Sequence, residues 1–272
     1  MLLKPVGLRV CITDTSGSPL PEYQAVQTKD DTIECWVPSI EGANFQIHWE
    51  VLDRTPMTAG CCSCATPYFD GVKLKSKIAP SGKNKGRLYG HPVAPSTIRL
   101  YQFGKRTFTD EEDTSVANAV AVEDLGTIRL QVEWGQSIRK EKRTLRRFTE
   151  PTPGPVHEKL AKKGFWDSAR LGQTAEIYMP AFGKFVKKEE ATAGNFIFHY
   201  ASEEFLQAQG IIPLVPKLES SVKSESVVKP ESPETGLGRK RTRAASSEAT
   251  GSGAVEDDIE EVLAPCAKKQ KL

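Results

Sequence analysis

Aromatic residues are absent from the last part of this chain. All four Trp, six Tyr and eleven Phe lie before Pro213, and none occurs in the Ser-, Glu-, Lys- and Pro-rich stretch that follows. Such a segment cannot bury enough apolar surface to offset the entropy lost when its backbone is ordered. The composition therefore predicts a folded domain over residues 1–212 and a disordered tail over residues 213–272.

Long apolar runs and lipid-attachment signals are also lacking. No run approaches the ~18 apolar residues that a membrane span needs, and Met1-Leu-Leu-Lys4 is too short for the apolar core of a secretory signal. Residue 2 is not the Gly required for myristoylation, and Cys266 is too far from the end for prenylation. We expect a soluble intracellular protein with no membrane association, whose six Cys are mostly reduced thiols.

No large excess of one charge is present either. The domain carries 27 basic and 25 acidic residues and the tail carries ten of each, which accounts for the net charge of +2. A dedicated nucleic-acid binder would show a larger excess. The densest basic block has six basic residues and one acid in nine: Arg139, Lys140, Lys142, Arg143, Arg146 and Arg147. This block would either contact phosphates through counterion release or form a long solvated hairpin or loop.

Alternating patterns predict the fold. Leu8–Ile12 alternates apolar and polar residues, and Phe45–Val51 does so strictly, as half-buried strands do. Further strands are predicted at Thr32–Val37, Cys62–Phe69, Val72–Ile78, Thr97–Phe103, Gly126–Trp134, Ala175–Tyr178 and Phe196–Tyr200. Short strands separated by Gly and Pro favour an all-β antiparallel sandwich or barrel, of which we predict the sandwich. A short helix is predicted at Ser202–Gly210, and a second one at Val156–Lys163.

Known catalytic and cofactor motifs are missing. The sequence has no G-x-S-x-G, P-loop or dinucleotide fingerprint. Cys61-Cys-Ser-Cys64 lacks the usual C-x₂₋₄-C spacing and a second ligand pair, so buried thiols are favoured over a metal site. His48 and His199 are expected on the polar sides of strands. We predict no catalytic residue, no cofactor and no metal, with a metal-dependent or hydrolytic enzyme as the third-ranked alternative.

Two basic clusters in the tail resemble nuclear-import signals. They comprise Arg239, Lys240, Arg241 and Arg243 in the first cluster, and Lys268, Lys269 and Lys271 in the second. An extended chain lets the cationic side chains reach acidic pockets of an import receptor. The sequence thus predicts location in the nucleus, with the cytoplasm as the alternative if these clusters only solubilise the tail.

The tail also carries candidate modification sites. Lys223 and Lys229 both lie in the apolar-Lys-x-Glu pattern read by the conjugation machinery of small ubiquitin-like modifiers. Ser232 precedes Pro233, as in proline-directed phosphorylation sites, and Ser246 follows a basic cluster. A phosphate at Ser246 would add about two negative charges and weaken the contacts of that cluster.

Several stretches together resemble an uncharacterised domain family that recurs in mushroom-forming fungi. These stretches are Cys35–Trp49, Asp124–Leu130, Val156–Lys159, Lys162–Gly164, Leu171-Gly172, Asn195–Tyr200 and Leu206–Pro213. The resemblance implies one β-rich domain ending near Pro213. It carries over no activity and no catalytic residue.

Three function classes follow. The first is a non-enzymatic nuclear interaction protein that binds an unidentified protein partner through the sheet or its loops. The second is a chromatin- or nucleic-acid-associated factor that uses residues 139–147 and the tail. The enzyme is the third.

Overall fold

The computed structural model describes residues 1–53, 60–109, 121–138, 148–151, 156–157, 166–177, 184–189 and 191–213. In chain order its strands are β1 (Leu2–Leu3), β2 (Leu8–Thr13), β3 (Tyr23–Lys29), β4 (Thr32–Pro38), β5 (Gln46–Val51), β6 (Cys62–Phe69), β7 (Val72–Lys73), β8 (Lys77–Ala79), β9 (Lys85–Leu88), β10 (Gly90–Ala94), β11 (Thr97–Lys105), β12 (Phe108–Thr109), β13 (Thr127–Ile138), β14 (Val156–His157), β15 (Asp167–Glu176), β16 (Lys184–Lys187) and β17 (Gly194–Ala201). One α-helix, α1 (Glu203–Ala208), follows the last strand, and short 3₁₀ helices span Lys4–Val6 and Val122–Asp124.

The largest sheet has the strand order β3-β4-β17-β13-β6-β7. β8 pairs with β6, and β16 pairs with the second half of β13. All neighbours in this sheet are antiparallel except β4 and β17, which run parallel and place Thr32 opposite Asn195. The long strand β13 holds the sheet together because it pairs with β6, β16 and β17.

Two smaller sheets form the second layer, β1-β2-β5-β9 and β10-β11-β15. They are joined where Phe45 N–H donates to the Tyr101 carbonyl (3.0 Å) and Tyr101 N–H donates to the Tyr89 carbonyl (3.1 Å). β12 and β14 form a separate two-stranded parallel pair.

The core lies between the two layers. One cluster of buried apolar side chains combines residues of both, including Val10, Trp49, Leu130, Phe196 and Phe198. The Trp49 indole N–H donates to the Ser63 hydroxyl across the layers (3.1 Å). Burial of apolar area at roughly 25 cal/mol per Å² is the main term that stabilises such a core. The chain is thus strand-rich with several antiparallel sheets, as the turn-rich pattern predicted.

Most predicted strands are confirmed, with shifted ends. Phe45, Ile47, Trp49 and Val51 are all buried on one face, as the strict alternation indicated. The predicted strand Val72–Ile78 is instead two short strands, β7 and β8. The predicted strand Ala175–Tyr178 overlaps only the last two residues of β15, which begins at Asp167.

The helix predicted at Ser202–Gly210 is confirmed as α1, with the Ser202 hydroxyl accepting from Phe205 N–H (3.4 Å) as N-cap. The helix predicted at Val156–Lys163 is wrong at its start. Val156 and His157 are extended and pair with Phe108 and Thr109. Such cross-strand pairing is non-local, so the local residue pattern did not reveal it.

Candidate interaction surface

The outer face of the largest sheet carries a row of side chains that crosses six strands in register. From edge to edge the row is Val26, Glu34, Ile197, Arg129, Tyr68 and Lys73. Neighbouring strands lie ~4.8 Å apart, so the row spans about 24 Å. In the four central strands the residues on either side of Glu34, Ile197, Arg129 and Tyr68 are buried in the core, so alternation along each strand brings these four to the outer face. We call this row the platform.

Tyr68 lies at the centre of the cationic half of the platform. The Arg129 guanidinium carbon is 4.2 Å from the ring centroid of Tyr68, and the Lys73 ammonium is 5.9 Å from it. Both distances are within the range of cation–π attraction. The Tyr68 hydroxyl donates to the Gln131 amide oxygen at 3.4 Å. Among the described residues, neither Arg129 nor Lys73 forms a salt bridge, so both cations can meet a partner's anionic or aromatic groups.

The other half of the platform carries one acid, Glu34, and two aromatic rings lie beside it. His199 Nε2 lies 2.9 Å from Glu34 Oε2, and the His199 ring packs on Trp36 with centroids 4.9 Å apart. Trp36 and Tyr23 also contact a small apolar cluster around Leu206 of α1. The helix therefore covers one end of the outer face and holds Trp36 in place beside the row.

A second polar cluster is buried at the end of the sandwich. Asp70 Oδ1 accepts hydrogen bonds from Gly126 N–H (2.7 Å) and from the Tyr200 hydroxyl (2.8 Å). It also pairs with Arg106 Nη2 at 3.0 Å, with both side chains only 6% exposed. The Tyr200 hydroxyl in turn accepts from Ala169 N–H (2.6 Å). Burial raises the pKa of Asp70, while Arg106 and these hydrogen bonds oppose the rise.

Asp167 extends this cluster. Its two carboxylate oxygens accept from the Ser39 hydroxyl (2.8 Å) and from the Lys105 ammonium (2.6 Å), and its carbonyl accepts from Arg106 Nη2 (3.0 Å). The cluster joins the ends of β4, β6, β11, β15 and β17, which the chain reaches at widely separated points. Nearly every donor and acceptor is used internally, so the arrangement is suited to fixing strand ends.

The Cys61–Cys64 thiols are buried, as the sequence analysis favoured. Burial raises the pKa of Cys64 to about 11, and the Cys62 thiol, whose pKa is also raised by burial, donates to the Gly135 carbonyl (3.3 Å). Raised values disfavour the thiolate that nucleophilic attack and metal binding need. Among the described residues, no group of three or more His, Cys, Asp or Glu side chains is placed to hold a metal ion. Nor is any helix in that part of the chain long and apolar enough to cross a membrane.

The functional residues predicted from sequence lie outside the described residues. They comprise the basic block, the import clusters and the modification sites: Arg139, Lys140, Lys142, Arg143, Arg146, Arg147, Arg239, Lys240, Arg241, Arg243, Lys268, Lys269, Lys271, Lys223, Lys229, Ser232 and Ser246. Sequence reasoning missed the platform. The sequence signal for the platform was the set of outward-facing residues in each alternating strand, such as Glu34 and Trp36 in β4. Only the register between strands shows that these outward-facing residues line up across the sheet.

A family model for a domain of unknown function, DUF7918, matches residues 7–214. The chain belongs to the DUF7918 family. No curated protein and no solved structure matches the chain significantly. The DUF7918 match includes every strand of the platform and every residue of the buried cluster, so both features belong to the family domain.

Proposed function

We propose that this protein is a non-enzymatic interaction protein of the nucleus and that its DUF7918 domain binds a partner protein through the platform. The observation that supports this is the in-register row with half-exposed Tyr68 and Arg129 at its centre and Trp36 beside it. Tyr, Trp and Arg are the residue types that most often dominate binding energy at protein interfaces. Resemblance to the fungal family leads us to infer a fungal origin as well.

Affinity capture from nuclear extract tests the platform. Tyr68→Ala combined with Arg129→Ala should reduce capture of the specific partner at least tenfold, since single hot-spot truncations cost about 2 kcal/mol or more. Arg9→Ala is a matched control, because Arg9 is an exposed arginine in β2 of the second layer. Unchanged capture by the double variant, with thermal unfolding like that of Arg9→Ala, would refute the platform.

Nuclear location rests on the two basic clusters of the tail. Lys268→Ala, Lys269→Ala and Lys271→Ala together should shift a fluorescent fusion of the full chain toward the cytoplasm. If the fusion stays nuclear after the cluster at residues 239–243 is also neutralised, import through the tail is wrong. The match at residues 7–214 supports the proposed division of the chain at residues 212 and 213.

Conjugation of a small ubiquitin-like modifier is proposed for Lys223 and Lys229. Lys223→Arg with Lys229→Arg should abolish the mass-shifted conjugate in a reconstituted conjugation reaction while the chain keeps its charge. A conjugate of undiminished intensity would place the modification elsewhere. Ser232 and Ser246 remain proposed phosphorylation sites, to be checked by mass spectrometry of the purified chain.

A second candidate function is nucleic-acid association, through residues 139–147, the tail and part of the domain. The observation that favours it is a stretch without acidic residues. Residues 71–109 contain nine Lys and Arg and no Asp or Glu. A salt-dependent mobility shift with DNA or RNA tests this candidate, because phosphate contacts weaken steeply as salt rises.

A further inference from the structure

Two cations of the acid-free stretch 71–109 converge on one tyrosine ring. The Arg87 guanidinium carbon is 4.8 Å from the ring centroid of Tyr89, and the Lys77 ammonium is 5.8 Å from it. The Lys77 ammonium also donates to the Arg87 carbonyl at 2.9 Å, which fixes β8 beside β9. Arg87 is exposed, and Lys77 and Tyr89 are half-exposed.

Within the described part of the chain, these two cations have no counter-charge. Among the described residues, neither Lys77 nor Arg87 forms a salt bridge, and Glu50 pairs with Arg9 and Lys85 instead. Burial and the nearby Arg87 lower the pKa of Lys77. The exposed Arg87 and the half-buried Lys77 repel each other, and a bound anion would relieve that repulsion.

Gly86 shows that this part of β9 is pressed against the core. A Cβ at Gly86 would lie within 1.9 Å of the Trp49 ring, and Trp49 is almost completely buried. The backbone of β9 beside Arg87 therefore packs directly on the Trp49 ring. The cations and the ring lie on the β8–β9 side of the sandwich, apart from the platform, because β9 belongs to the second layer and places Arg87 opposite His48.

We propose that Tyr89, Arg87 and Lys77 form a binding site for one nucleotide of single-stranded nucleic acid. A base stacks on the Tyr89 ring, and the flanking phosphates contact Arg87 and Lys77. Exposed Lys83 and Lys85 of the same strand and turn extend the cationic surface for neighbouring phosphates. Stacking of bases on aromatic rings beside a cationic groove is the general mode of single-strand binding.

The aromatic ring selects among polyanions. In a duplex the bases are stacked on each other and offer no free face, so Tyr89 would add nothing. An acidic polypeptide supplies carboxylates but not the flat rings that stack on Tyr89. A nucleotide supplies both the ring and the phosphate, which matches the arrangement. This site rests on the second candidate function and names the domain residues that would carry it.

The test is fluorescence anisotropy of the full chain with a labelled oligothymidylate, a duplex of equal length and a poly-glutamate of equal charge, each over a salt series. Tyr89→Leu should weaken oligothymidylate binding about 5- to 150-fold, the measured range for loss of one base–aromatic stack. Tyr89→Phe should keep the affinity because the ring remains. Arg87→Gln should lower the slope of log affinity against log salt by about 0.7.

Lys29→Gln is the matched control, since it removes one exposed charge from edge strand β3. If Tyr89→Leu and Arg87→Gln bind the oligonucleotide as Lys29→Gln does, the site is wrong while nucleic-acid association through other segments still stands. If the wild-type chain binds no nucleic acid at all, both fail. Binding of poly-glutamate or duplex as tight as that of oligothymidylate would overturn the choice of ligand.

Discussion

Arginines in two regions of this domain have opposite surroundings. Arg106, in the buried cluster, pairs with Asp70 and donates to the Asp167 carbonyl. Arg87, on β9, lies over a tyrosine ring and forms no salt bridge with any described residue. A charge that is matched inside the fold is suited to holding strands together, whereas an unmatched charge on a rigid surface is suited to an external ligand. The same substitution in the two regions should therefore have different consequences.

The largest effect is expected from Arg106→Met. Asp70 would lose its cation and would have to stay ionised without a partner or take up a proton in a buried site. Breaking a buried pair by removing one partner costs about 3–5 kcal/mol of unfolding free energy. Arg87→Met should cost less than about 0.5 kcal/mol, as for most surface changes. Urea denaturation at pH 7 measures both.

A double variant sharpens this result. Asp70→Asn combined with Arg106→Met removes both charges, so it should recover part of the loss caused by Arg106→Met alone. If the two substitutions are simply additive, the ion pair does not couple these residues, and the buried cluster is not organised as described.

A middle-sized effect is expected from Tyr200→Phe. The variant loses the hydroxyl that donates to Asp70 and accepts from Ala169 N–H, so a buried donor and acceptor are left without that partner. Such unsatisfied groups cost about 1–3 kcal/mol. Tyr89→Phe serves as the control and should leave the unfolding midpoint in urea unchanged. If Tyr200→Phe and Tyr89→Phe changed the unfolding free energy equally, the buried cluster would contribute no more to stability than the surface around Tyr89.

The smallest effect is the acid sensitivity caused by His91, a buried residue of the acid-free stretch 71–109. His91 Nδ1 accepts from Lys75 N–H (3.3 Å), and Nε2 lies 3.0 Å from the Thr149 carbonyl. Burial, aided by Lys75 and opposed by the Thr149 carbonyl and Glu150, lowers the pKa of His91 below its ordinary value of 6.5. The unfolded chain therefore binds a proton more readily, and stability is lost as pH falls below about 6.5.

Replacing His91 removes this contribution. His91→Gln should flatten the dependence of unfolding free energy on pH as the pH falls below about 6.5, since glutamine carries no group that titrates there. Guanidinium denaturation at several pH values measures the difference. An acid slope identical to that of the wild-type chain would show that His91 does not titrate with folding.

The sequence predicted the strands whose apolar and polar residues alternate. Phe45–Val51 and Cys62–Phe69 have enough β-branched and aromatic residues to be recognised locally. β3 and β9 were missed because Tyr23–Lys29 is mostly exposed at a sheet edge and Lys85–Leu88 has only one buried side chain. These strands form because a neighbouring strand offers hydrogen bonds, and a local pattern does not contain that information.

The candidate sites depended even more on non-local contacts. Asp70, Arg106 and Tyr200 are scattered along the chain, and only the folded sheets bring them together. The acid-free stretch 71–109 was visible in the sequence, yet its charges are spread out and less conspicuous than the block at residues 139–147. What could not be read locally is that Lys77 and Arg87 reach the same ring of Tyr89.

The position of β17 also determines when the domain can form. This last strand lies between β4 and β13, and it pairs in parallel with a strand made near the start of the chain. A nascent chain that has not yet reached Gly194 has all of β4 and β13 but not the strand that joins them. Folding must therefore wait until almost the whole domain has been synthesised, and contacts between such distant segments fold slowly. Until then the edges of β4 and β13 that later pair with β17 lack their partner, and unpaired strand edges of this kind promote aggregation.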